Sequence, residues 1–176
     1  MKDKVNVIKL KAIKEAVQGG HYIEAFKTLS DLSAPEHDFT LQSRYATLFE
    51  SIPPEALKLT KLRLAILASS SVDHFIKILK FWLAKKGFLS QVFSSQFNTI
   101  DQTILDQKGP LYEFEPEFVW IFTHYRDVTL STPFGANLTE CDTTTNEAVK
   151  KFSGLWDILH KNLSCHILQN NADLPN

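Results

Sequence analysis

The chain has 176 residues, 44% hydrophobic and 22% charged, with a net charge of −1. That composition suits one globular domain plus a small appendage. It gives no global charge that would select nucleic acid or a membrane surface, and no run reaches the ~18 consecutive apolar residues that cross a bilayer.

Residues 5–32 read as two short helices. Val5, Ile8, Ala12, Ala16 and Val17 share one face of the first, and Gly19-Gly20 ends it. Tyr22, Ala25, Phe26 and Leu29 form the face of the second. A third helix is expected from Thr40 to Glu50, with Leu41, Tyr45, Leu48 and Phe49 as its apolar side, and Pro53-Pro54 stops it. Residues 1–54 therefore form a helical appendage, and 55–176 a separate domain.

Residues 62–68 are too continuously apolar for a half-exposed strand and fit one buried on both faces. A helix follows over 73–86, with Phe75, Ile76, Leu79 and Leu83 inward and Lys77, Lys80 and Lys85 outward. Gly87 stops it. A second strand is expected at 88–93, a helix at 99–106, and a turn at Gly109-Pro110. FVWIF, residues 118–122, is the third strand. A polar loop covers 124–143, a helix 146–161 and a fourth strand 165–168. Strands alternating with helices imply an α/β fold with a doubly wound, mostly parallel sheet. The chain then reads QNNADLPN. Such a sheet normally adds a further helix and strand to cover its last edge, so the domain is expected to be truncated at its C-terminal side.

Two cysteines without metal spacing, Cys141 and Cys165, fit a reducing, cytoplasmic setting. Cys165 reads as core. Cys141 reads as a loop thiol with nothing basic beside it to activate it. The first fourteen residues hold five lysines (Lys2, Lys4, Lys9, Lys11 and Lys14) against Asp3. The run is too lysine-rich and periodic for a secretory signal. It is either a solvated helix face or a docking patch for an acidic partner.

Ligands of open parallel sheets gather beyond the carboxyl ends of the strands. That rule selects Ser69, Ser70 and Ser71 after the first strand, His124 to Asp127 after the third, and Gln169, Asn170 and Asn171 after the fourth. With a strand order of 2-1-3-4 all three would line one rim. The serines can cap the next helix or present a nucleophile. His124 and Arg126 can hold an anion or act as acid and clamp, while Asp127 can pair with Arg126 or cap a turn. The amides can hold a carbonyl or phosphate, or satisfy loop backbone. Asp157 and His160 spell D-x-x-H inside a helix and read as a solvated face. The chain has no Gly-rich phosphate loop, zinc spacing or D-x-D.

KLRLAILASSSVDHFIKILKFWLAKKGF, QVFSSQFNTIDQTILDQKGPLYEFEPEFVWIF and LWDILHKNLSCHILQNNADLP together resemble the N-terminal region of FkbH-like proteins, subfamily IIIC of the haloacid dehalogenase (HAD) superfamily. The resemblance covers roughly residues 60–176 and implies an SGNH-hydrolase-like, flavodoxin-like region. A Mg-dependent HAD phosphatase region would follow it in the same polypeptide. It also implies a role in loading a glyceryl unit from bisphosphoglycerate onto the phosphopantetheine arm of an acyl carrier protein in polyketide-type pathways. In the SGNH fold the nucleophile follows the first strand, which makes Ser70 the catalytic candidate. The surrounding Ala68-Ser69 and Thr123–Arg126 depart from that fold's G-D-S and G-x-N-D patterns. Ser69, Ser71, His124, Arg126, Gln169, Asn170 and Asn171 remain the substrate- or carrier-binding candidates.

Overall fold

The computed structural model describes residues 2–128 and 135–171, with side chains from residue 8 onward. The chain forms two compact units, one joining Met1–Leu62 to Asp73–Ser90, the other joining Arg63–Val72 to Gln91–Asn176.

The first unit contains α1 (Lys2–Gln18), α2 (Tyr22–Leu32), α3 (Phe39–Glu50) and α4 (Asp73–Lys85). Gly20, at φ +78°, ends α1. The amides of Gly20 and His21 turn back to the carbonyls of Val17 and Ala16 at 3.1 and 2.9 Å, a paired closure that a left-handed glycine permits. Asp38 caps α3, its Oδ1 accepting from the Leu41 amide at 2.8 Å. Ile13, Leu29, Tyr45 and Phe81 are buried at the centre of this unit. The apolar face of α1 is not the expected one. Ile8 is 69% exposed, whereas Ile13 is buried and Leu10, Ala16 and Val17 pack beside it. Turning Ile13 inward in place of Ala12 removes more apolar area from water. Lys85 also departs from the outward position expected of it. Its Nζ donates to the Ser33 carbonyl at 3.0 Å and Oγ at 2.8 Å, and sits 4.4 Å from the Trp82 ring centroid. Its long stem lets it lie along apolar surface while the charge finds partners.

The sheet consists of β1 (Thr60–Ala68), β2 (Phe88–Ser94), β3 (Phe118–Phe122) and β4 (His166–Gln169). It is all-parallel, in the order β2-β1-β3-β4. Leu64 to Ala68 are buried without a break, as the continuous apolar run required. Glu117 fixes the register at the start of β3. Its carboxylate accepts from the Arg63 amide at 2.8 Å, its amide donates to the Arg63 carbonyl at 2.9 Å, and its carbonyl accepts from the His166 amide at 2.9 Å. Ala65, Leu67, Val119 and Ile121 form a core with residues of α5 (Ile100–Leu105), α6 (Pro110–Phe114) and α7 (Leu138–Asn162).

Two loops expected from the sequence contain helix. Gly109-Pro110 starts α6, with Gly109 at the N-cap and Pro110 in the first turn, where its missing N–H costs nothing. The expected polar loop over 124–143 holds a 3-10 turn at Tyr125–Asp127 and the start of α7 at Leu138. Cys141 is therefore helical rather than loop-borne. Asp157 and His160 are exposed on α7, as expected of a solvated face. Among the described residues, no helix is long and apolar enough to cross a membrane.

Burial raises the pKa of Cys165 and is the main cause of the rise at Tyr112 and Tyr45, with a smaller contribution from Asp38 at Tyr45 and from Cys165 and Asp106 at Tyr112. Each folded value lies above the unfolded one. Their stabilisation is complete below the ordinary values of 9.0 for the thiol and 10.0 for the phenols, and is lost as pH rises through the folded values. Burial lowers Lys85, which acts oppositely and favours the folded state as pH rises. With three groups against one, urea midpoints are expected to fall between about pH 8 and pH 11. A flat or rising midpoint would contradict these burials.

Candidate functional site

Because the sheet is parallel, the carboxyl ends of β1, β3 and β4 lie on one edge, and the strand order is the one that brings the three polar segments together. Hydrogen bonds join them in two places. Ser69 Oγ donates to Asp127 Oδ2 at 2.6 Å, linking the end of β1 to the segment after β3. The same carboxylate oxygen accepts from the His124 amide at 2.6 Å, so Asp127 also caps the 3-10 turn. Of the two roles open to Asp127 in the sequence, the structure shows the cap.

The second junction is made by Asn170. Its Oδ1 accepts from the Thr123 amide at 2.9 Å, and its Nδ2 donates to the Thr123 carbonyl at 2.7 Å and to the Asn171 carbonyl at 3.0 Å. Thr123 Oγ1 donates to the Asn170 carbonyl at 3.1 Å. The last backbone register pair of β3 and β4 is Ile121 with Gln169, and the Asn170 amide carries the ladder on as a peptide group would. Gln169 Oε1 accepts from Trp156 Nε1 at 2.8 Å.

His124 Nδ1 accepts, at 3.4 Å, from the Arg126 amide, and its ring lies 4.2 Å from that of Tyr125. The Arg126 guanidinium is exposed, donates from Nε to the Tyr125 hydroxyl at 3.1 Å and lies over that ring. Ser70 and Ser71 are exposed and Ser69 is half-buried. Among the described residues no side chain bonds Ser70 Oγ. The Asp127 carboxylate of the rim accepts from Ser69 instead.

Beside the amides lies a groove of about 340 Å³. Val149, Phe152 and Trp156 of α7 form its apolar wall, and Thr123, Gln169 and Asn171 supply polar groups at its end. The sequence reading missed Asp127 as the link between two segments, and Trp156 and Phe152 as groove wall. Asn137-Leu-Thr-Glu140 was the available signal for the longer α7: Asn137 Oδ1 accepts from the Glu140 amide at 3.0 Å and Glu140 returns the bond at 2.9 Å. Among the described residues, no three His, Cys, Asp or Glu side chains gather as a metal-binding set.

The crystal structure of the N-terminal part of the protein BF1531 from Bacteroides fragilis, containing a phosphatase domain and complexed with Mg, is similar to this chain with a TM-score of 0.59 and 14% identity. The match covers 80% of this chain and 34% of that one, so this chain spans about a third of its length. At that identity the likeness shows the fold alone. No curated protein matches the chain. The family model described as FkbH, N-terminal domain, matches residues 63–174. That span holds the sheet from residue 63 of β1 through β4 and all three segments of the polar rim, and the chain belongs to the FkbH N-terminal domain family.

Proposed function

We propose that this chain is the SGNH-like, carrier-binding domain of an FkbH-type enzyme that loads a glyceryl unit, derived from bisphosphoglycerate, onto an acyl carrier protein. In this reading a HAD phosphatase region of the same polypeptide, with its Mg²⁺, removes phosphate. The rim described above holds the acyl-bearing phosphopantetheine arm. The observation that supports it is the groove at the ends of β3 and β4, where an apolar wall meets amide groups. A phosphopantetheine arm has the matching chemistry, an aliphatic chain interrupted by two amides. Gln169 and Asn171 can pair with those amides, Val149 and Phe152 cover the chain, and the exposed Arg126 is a cation for the phosphate.

Binding fits this rim better than hydrolysis. A serine nucleophile needs a base within about 2.6–3.2 Å, and the rim carboxylate is committed to Ser69 Oγ and the His124 backbone amide. A Ser70→Ala variant of the full enzyme is expected to load its carrier at the parent rate. A loss of about 100-fold or more with carrier affinity retained would make Ser70 a nucleophile and the chain an acyltransferase or esterase. The binding reading itself is tested by titrating the chain with holo and apo carrier protein at low salt. Holo carrier is expected to bind at least about tenfold tighter, and Asn171→Ala with Val149→Asp to erase that preference. Equal or absent affinity for the two forms would leave a purely structural docking domain.

A further inference from the structure

The basic run of α1 has no part in the rim chemistry described above, and it borders a groove of the first unit. That groove, about 660 Å³, lies between α1 and α3. Leu10, Leu48 and Phe39 form its apolar floor, and Phe39 is 61% exposed. Lys11 and Lys14 stand along the α1 side and Arg44 along the α3 side, and among the described residues the lining holds no acidic side chain. Among the described residues Lys11 has one acidic partner, Glu15 at 3.8 Å; both side chains are largely exposed, so the pair is weak. Among the described residues Lys14 and Arg44 have no acidic partner. Lys9 is exposed on the same helix, and Lys2 and Lys4 belong to it too.

We infer that this groove docks an acidic amphipathic helix of a partner protein. Two observations select that occupant. The groove is open along one side, so it covers one face of a rod-like ligand and would leave much of a small apolar molecule in water. Its margins carry cations on both sides of an apolar strip. A helix with leucines at i, i+3, i+4 and i+7 flanked by glutamates matches both features at once. Charge complementarity of this kind acts on the encounter rate and is screened by salt.

The test is fluorescence anisotropy on the full chain with a labelled peptide of about 16 residues, helical, with a leucine stripe and glutamate flanks. Saturable binding is expected at about 50 mM salt and at least about tenfold weaker affinity at about 500 mM. The double variant Lys14→Glu, Arg44→Glu is expected to lose about tenfold or more while keeping its circular dichroism, since both sites are exposed. Leu48→Ser separately tests the floor. The inference is overturned by absent binding at low salt, or by equal affinity for a peptide with lysine in place of each glutamate. Binding to vesicles of anionic phospholipid but not to the peptide would overturn it in favour of a membrane surface. Charge-dependent self-association in sedimentation would overturn it in favour of a second copy. None of these outcomes depends on the rim, because the probe carries no phosphopantetheine.

Discussion

Phe81→Ala is expected to destabilise the first unit by about 3–5 kcal/mol, the usual cost of deleting a fully enclosed aromatic ring. Phe81 is 0% exposed, with the rings of Trp82, Phe49 and Tyr45 at 5.7, 5.9 and 6.0 Å. No single neighbour can fill the space, because Tyr45 and Phe49 are fixed on α3, Trp82 adjoins Phe81 on α4, and Tyr45 is further tied to His37 Nδ1 by its hydroxyl at 2.8 Å. Phe81→Leu keeps most of the volume and is expected to cost under about 1.5 kcal/mol. Urea unfolding followed by tryptophan emission reads both, as a shift of midpoint at constant slope. A loss below about 1 kcal/mol for the alanine variant would show that the ring is not packed as described.

Asn170→Ala carries the next largest effect, about 2–4 kcal/mol. The substitution leaves the amide and carbonyl of Thr123, a residue only 3% exposed, without their partners. A buried backbone group deprived of its hydrogen bond costs about 1–3 kcal/mol, and here two are affected. Asn170→Asp keeps the acceptor but places a carboxylate against the Thr123 carbonyl. It is expected to be at least as destabilising near neutral pH and to recover as the carboxyl protonates toward pH 4. Loss of protection at the Thr123 amide in hydrogen exchange would report the junction directly. Unchanged protection in the alanine variant would mean that β3 and β4 hold together without it.

Much of this organisation was open to inspection in the residues. FVWIF fixes β3 because its five residues are all apolar and each is aromatic or β-branched, leaving no polar face. The rule that loops beyond parallel strands meet on one edge was enough to group Ser69, Asp127 and Asn170. The hidden parts have physical reasons. LTECDTTTN looks like a loop because threonine and asparagine are poor helix formers. The helix forms there through its capping box, and Thr143, Thr144 and Thr145 turn their hydroxyls back onto carbonyls four residues earlier at 2.8–3.0 Å. Gly109-Pro110 is equally at home in a turn and at the start of α6. Periodicity also could not show that Lys85 turns inward, since the partner it finds, Ser33, lies far away in sequence. Asp127 was visible as part of a cluster, but only the folded chain shows a single oxygen serving two donors from different segments.

The bond from the Trp156 indole to Gln169 has a practical consequence. A guest that pairs with the glutamine must compete with that N–H, and an indole released from its acceptor changes its emission. Occupancy of the groove would then be visible in unlabelled protein as an optical signal. Replacing Trp82 and Trp120 by phenylalanine would leave Trp156 as the lone tryptophan, reporting each arrival and departure.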